Sequence, residues 1–176
     1  YFLNEISKNE KYIMYFTSEI NEFPSKSKYD KIKILLPFNL DEKFYKLRQI
    51  GENENEICKL IRNDMVTEFI SYINHNSITI NAIIKKSQYE TNTFLHNKKV
   101  TLIKYAAFFG SIQIFNYLLR QHAELDPSIW YYAIHGKNVE IIQELQKNNI
   151  KPDNNSYLSS LIESIKCHHN DIANYI

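Results

Sequence analysis

The segment "TLIKYAAFFGSIQIFNYLL", residues 101 to 119, recurs along the chain, and this recurrence narrows the possible folds more than any other feature. A second copy, "SIWYYAIHGKNVEIIQEL", lies at a shift of 27: Thr101 falls on Ser128, Ala106 on Ala133, Ile112 on Val139, Ile114 on Ile141, Phe115 on Ile142 and Leu118 on Leu145. A third, "SSLIESIKCHHNDIANYI", follows at a shift of 31, with Leu161 on Trp130, Ser164 on Ala133, Ile172 on Ile141 and Ile176 on Leu145. A fainter copy at residues 56 to 73 precedes the first by 46, placing Ile57 under Ile103, Val66 under Ile112, Phe69 under Phe115 and Ile73 under Leu119. The unequal shifts put the length changes in the connectors. Repetition at such a spacing is the mark of a solenoid.

Each copy predicts two short antiparallel helices. In the clearest one Thr101 is the N-cap candidate, the first helix runs to about Phe108, and Gly110 breaks it. Ile112, Phe115, Leu118 and Leu119 then form the stripe of a buried helix face. Helices of two turns are marginal alone in water, so each pair needs neighbours above and below. Ser128, after Pro127, is the cap expected for the next copy, and a short helix is expected near residues 80 to 86 within the connector 74 to 100. Before the repeats, periodic apolar residues predict helices over about 2 to 20, over "KYDKIKILLPF", and from near Asp41. Residues 1 to 50 are read as an amino-terminal helical cap or worn repeats, and 51 to 176 as the repeat domain. The chain begins with Tyr1 and stops inside a periodic pattern at Ile176, which suggests a piece of something longer.

Composition restricts partners more than fold. Twenty-one basic against 20 acidic residues leave a formal charge of +1, which supplies no long-range field for a polyanion. No nucleic-acid partner is expected. Lys26, Lys28, Lys31 and Lys33 alternate with Asp30, Tyr29 and Ile32 as on an ordinary amphipathic helix. Apolar runs stop short of a membrane span, so no membrane partner is expected either. Two cysteines, Cys58 and Cys167, read as thiols of a reducing compartment, and the chain as intracellular. Three glycines and four prolines are poor material for phosphate loops.

The search for chemistry yields no catalytic, cofactor or metal assignment. "KCHHND" gathers Cys167, His168, His169 and Asp171, but adjacent histidines on a helix point about 100° apart and do not converge on one ion. By register the segment is an inter-helix turn. His135 would act as a general base only beside an oriented carboxylate and a nucleophile, and the sequence supplies no such set, so it is given a helix-end role. Cys58, beside Ile57 and Ile61, is read as a buried structural thiol, and Glu19 with Glu22 as solvated carboxylates. Tyr105, Trp130, Tyr131 and Tyr132 are expected to satisfy hydrogen bonds at the core boundary or to serve as anchors on a binding face.

These residues resemble the ankyrin repeat, with its alanine pair, turn glycine and apolar second helix. Thr101, Ile103, Ala106, Ala107, Gly110, Ile112, Ile114, Phe115, Leu118, Leu119, Ala123 and Asp126 fall on that pattern; Leu102, Lys104, Ser111 and His122 depart from it. In the second copy Ser128, Trp130, Ala133, Val139, Ile141, Ile142 and Leu145 match, with the turn glycine one place early at Gly136. Residues 40 to 176 are similar to a divergent ankyrin-type domain of unknown function expanded in Trichomonas and related protists. The resemblance implies an all-α, ankyrin-like solenoid of stacked helix pairs with shortened or irregular β-fingers. It also implies a noncatalytic scaffold that presents a concave surface to a protein partner. Phe109, His122, Glu124, Asp126, His135 and Lys137 are the candidates for its exposed tips. The alternative is a structural arm within a longer polypeptide, with no partner of its own.

Overall fold

Helices dominate the computed structural model, which describes residues 42–96, 98–153 and 156–176. In chain order they are α1 (Glu42–Ile50), α2 (Glu56–Arg62), α3 (Val66–His75), α4 (Thr93–His96), α5 (Leu102–Phe109), α6 (Ile112–Arg120), α7 (Ile129–Gly136), α8 (Val139–Lys147), α9 (Leu158–Lys166) and α10 (Asn170–Tyr175). The chain divides into two compact units, the first holding residues up to Glu54 together with 86–97, the second holding 55–85 and 98–176. The helices expected over residues 2 to 20 and in "KYDKIKILLPF", with Glu19, Glu22 and the lysines from Lys26 to Lys33, lie outside the described residues.

Within the first unit, α1 ends on Gly51, whose φ of 71° is the left-handed conformation that glycine adopts without strain. Its carbonyl accepts from both the backbone N–H and the hydroxyl of Thr91. Phe44 is buried and meets Tyr89 edge to face, while Arg48 donates to the Gln88 carbonyl. The loop from 86 onward therefore folds back on α1.

The second unit is built of helix pairs: α2 with α3, α5 with α6, α7 with α8, and α9 with α10. First helices pack in succession, α2 on α5, α5 on α7 and α7 on α9, and among the second helices α3 meets α6 and α6 meets α8. Equivalent positions are buried in layer after layer. Phe69, Phe115 and Ile142 are each 0% exposed, as are Ile114, Ile141 and Ile172. Burying such a side chain contributes about 1.5–3 kcal/mol, against roughly 0–1 kcal/mol for an exposed ion pair such as Lys46 with Glu42. Packing, not surface charge, holds the pairs together.

The inter-helix turns repeat with the same fidelity. Asp64, Gly110, Lys137 and His168 take φ values of 50°, 69°, 52° and 57°, and they are related by the three shifts seen in the sequence. Each closes its helix with a hydrogen bond to the carbonyl three residues back, from Asp64 to Ile61, Gly110 to Ala107, Lys137 to Ile134 and His168 to Ile165. Gly136 is thus not the turn residue of its pair; Lys137 is. A Cβ on Gly136 would stand 2.0 Å from the Ala107 carbonyl oxygen, so this glycine exists to let α7 approach α5.

Three local expectations are corrected. Residues 80 to 86 are not helical: Ile83 forms an antiparallel bridge with Thr101, the Ile84 N–H donates to the Val100 carbonyl, and Leu102 donates to Ala82. Two β-branched isoleucines suit that extended pairing. Thr101 precedes α5 in extended conformation, but its hydroxyl makes no cap and is buried without a hydrogen-bond partner. For α7 the capping side chain is Asp126, whose Oδ1 accepts from the Ser128 N–H at 2.9 Å, with Pro127 between them where no donor is needed. The connector after α6, in contrast to residues 82–84, forms no β-bridge.

Three consequences can be measured by urea denaturation. Gly136→Ala is expected to lower stability by about 3 kcal/mol, since the clash is with backbone rather than a movable side chain, whereas Lys137→Gly raises it by up to about 1 kcal/mol by relieving the left-handed residue. Thr101→Val, which replaces an unsatisfied hydroxyl by a methyl group, is expected to be neutral or to stabilise by up to ~1 kcal/mol.

Candidate functional site

The end of α7 meets one face of α9, and three chemically capable side chains converge there. Glu163 and Cys167 stand four residues apart, so one face of the helix and its C-cap presents both. His135, penultimate in α7, reaches them from the neighbouring pair. Its Nε2 lies 3.0 Å from Glu163 Oε1, and Cys167 Sγ lies 3.7 Å from Nδ1 and 3.8 Å from Nε2. All three are half-buried, and their ligand atoms lie within 4.8 Å of one another. Phe108 stacks on the imidazole with centroids 5.2 Å apart. Lys166 Nζ, 3.4 Å from Glu163 Oε2, holds the other carboxylate oxygen.

The sequence left His135 without a carboxylate or nucleophile; the fold supplies both. Their electrostatics nonetheless differ from those of a reactive cysteine. Burial pushes the His135 imidazole below its ordinary value, and the charges of Lys98 and His169 add to this while the hydrogen bond and charge of Glu163 oppose it. Burial pushes the Cys167 thiol up, and Glu163 adds to the rise against Lys166. A neutral imidazole beside a protonated thiol is the reverse of the thiolate–imidazolium pair that activates nucleophilic cysteines. Geometry agrees: a sulfur equidistant from both ring nitrogens lies on the in-plane lone-pair direction of neither.

The other residues of "KCHHND" do not join this group. His168 is the left-handed turn residue and His169 precedes α10 as its N-cap. Cys58 is buried in α2, and neither cysteine is in a disulfide.

Two of the aromatic candidates are core-boundary groups. Tyr105 is buried with its hydroxyl accepting from Arg62 Nη1 at 2.8 Å, and Trp130 is buried with Nε1 donating to the Ile150 carbonyl at 2.9 Å. Tyr132 is buried beneath Lys98 and Lys104, each 5.7 Å from its ring centre, while Tyr131 is half-buried. The six tip candidates divide between opposite ends of the helix pairs. Phe109, His135 and Lys137 lie at the turn end, Lys137 exposed and the other two half-buried. His122, Glu124 and Asp126 are exposed in the connector at the other end, where Asp126 pairs with Lys104.

An apolar surface that sequence reasoning missed lies on α9. Ile61, Ala107 and Ile134 occupy one repeat position and are all 0% exposed, yet their counterpart Ile165 is 54% exposed. Leu158 and Ile162 on the same helix are 61% and 45% exposed. The spacing 158, 162, 165 was legible as a stripe, but Ser160 and Ser164 turn out to be the buried residues. Among the described residues no helix is long and apolar enough to cross a membrane. Comparison with protein-family profiles, curated proteins and solved structures gives no match.

Titration of the site gives a signed expectation. The folded-state value of His135 lies below the unfolded one, so between the two values the unfolded chain binds more protons and stability rises with pH. Its contribution is complete above about pH 6.5 and declines as the pH falls through the folded value. Urea midpoints measured in chelator-containing buffer should therefore fall more steeply for the wild type than for His135→Gln between about pH 7.5 and about pH 5. Parallel pH profiles would contradict the assignment.

Proposed function

We propose that the chain is a noncatalytic protein-interaction scaffold, an ankyrin-like solenoid of divergent pairs that binds a protein partner through the α9 face. The exposure of Ile165 carries this reading. Three equivalent positions are sealed by the first helix of the next pair, and among the described residues the fourth, Ile165, is exposed. The surface that fits it is the apolar face of an amphipathic helix, because that is what covers its counterparts. Leu158, Ile162 and Ile165 sit at the i, i+4, i+7 spacing that such a helix reads.

Specificity on this reading comes from the polar rim, and affinity from a few apolar side chains. An arm whose α9 face is covered by another part of one longer polypeptide is the competing reading.

Capture from native extract, followed by mass spectrometry, separates the two. Ile162→Lys/Ile165→Lys changes only exposed positions and should leave helix content and the urea midpoint within about 0.5 kcal/mol of wild type. The scaffold reading expects the wild type to enrich a partner that the double variant loses at least tenfold, about 1.4 kcal/mol. Equal capture by both proteins would remove α9 as the binding face, and capture by neither would favour the arm.

A further inference from the structure

We propose that His135, Glu163 and Cys167 form a zinc site that clips the end of α7 to α9. The claim is independent of the partner reading, because it rests on different side chains. Imidazole, carboxylate and thiolate are the ligand types zinc takes, and three protein ligands with a fourth position left to solvent is a recognised zinc arrangement.

Distances support the assignment. Zinc–ligand bonds of about 2.0–2.3 Å in a tetrahedron place ligand atoms about 3.3–3.6 Å apart. The nitrogen to oxygen separation is 3.0 Å, the nitrogen to sulfur separations are 3.7 and 3.8 Å, and all three ligand atoms lie within 4.8 Å of one another, so side-chain adjustment closes them on one ion. Direction requires one larger change. The imidazole must turn about its Cβ–Cγ bond so that a lone pair points between Sγ and the carboxylate, and that torsion is broad for histidine. Backbone positions need not move far: Glu163 and Cys167 lie on adjacent turns of one helix, and His135 ends the helix packed against it.

Charge also balances. Zinc carries two positive charges, and the Glu163 carboxylate with the Cys167 thiolate carries two negative ones. Binding breaks the Cys167 S–H bond and forms the metal–sulfur bond, and the thiol proton leaves to solvent. The neutral imidazole donates a lone pair, its remaining hydrogen residing on the nitrogen that faces away from the ion. Lys166, whose side chain is 67% exposed, can leave Glu163 for water.

This grouping differs from the linear one. Adjacent His168 and His169 attract attention in the sequence, but the fold selects Cys167 from that run and pairs it with residues 4 and 32 positions away.

Cobalt(II), the spectroscopic substitute for zinc, tests the site in the full chain kept reduced. One equivalent is expected to produce a thiolate-to-cobalt charge-transfer band, and one equivalent of zinc to abolish that band and raise the unfolding temperature. Cys167→Ser should remove the band. His135→Gln and Glu163→Gln should each weaken cobalt affinity at least about tenfold, and Glu163→Gln, which keeps the side-chain shape, should do so with unchanged helical circular dichroism. The double variant His168→Gln/His169→Gln should keep the band. A wild type without the band, a band that survives Cys167→Ser, or one lost with His168 and His169 but kept without His135 would each overturn the proposal.

Discussion

Close approach of the first helices is the constraint on which the second unit depends. Ala106 and Ala107 in α5 and Ala133 and Gly136 in α7 are small where the two helices meet, and the Ala107 carbonyl occupies the space a Gly136 side chain would need. That separation fixes how deeply Trp130, Ile134 and Tyr105 are sealed. Each is about 0–1% exposed, so a change of one methyl group at Gly136 is felt by side chains across the layer. Ser164, at the repeat position of Ala106 and Ala133, continues the small-residue column on α9.

Hydrogen bonds between turns add direction to this packing. Asp64 accepts from the N–H groups of Gln113 and Ile114, so the turn of one pair caps the second helix of the next. Ser111 donates to the Ile61 carbonyl and Asn138 to that of Gly110, each from the same repeat position to the preceding turn. Apolar contact is indifferent to small rotations, whereas these bonds are not. They set the register of one pair on another. Between α7 and α9 helix packing sets the register, and a shift of one turn would carry Glu163 and Cys167 past the imidazole.

Much of the helical layout was readable in advance because the repeat spacing is a long-range signal that survives substitution. The pairs and most of their buried columns follow the three shifts, whereas Val139 and Ile165 are exposed; the left-handed turn residue of the second copy is Lys137 rather than Gly136. Local signals were less secure. A hydroxyl at Thr101 and another at Ser128 satisfied the composition of an N-cap, but the side chain that caps α7 is Asp126 two residues earlier, and backbone pairing with Ile83 claims Thr101. Residues 80 to 86 illustrate the same limit: short apolar runs carry no period long enough to tell helix from strand.

The sequence by itself determined that the second unit would be helical, in pairs, with small residues between layers, because those properties depend on residue type at fixed spacing. Only the tertiary structure decided which ends of the helices meet. His135 and Cys167 are separated by a connector whose length differs from that of the preceding one, and their convergence depends on how α9 is laid against α7. For the same reason Ile165 is readable as apolar but not as uncovered. Exposure is a property of neighbours, and the repeat pattern specifies a residue's own face without specifying what lies against it.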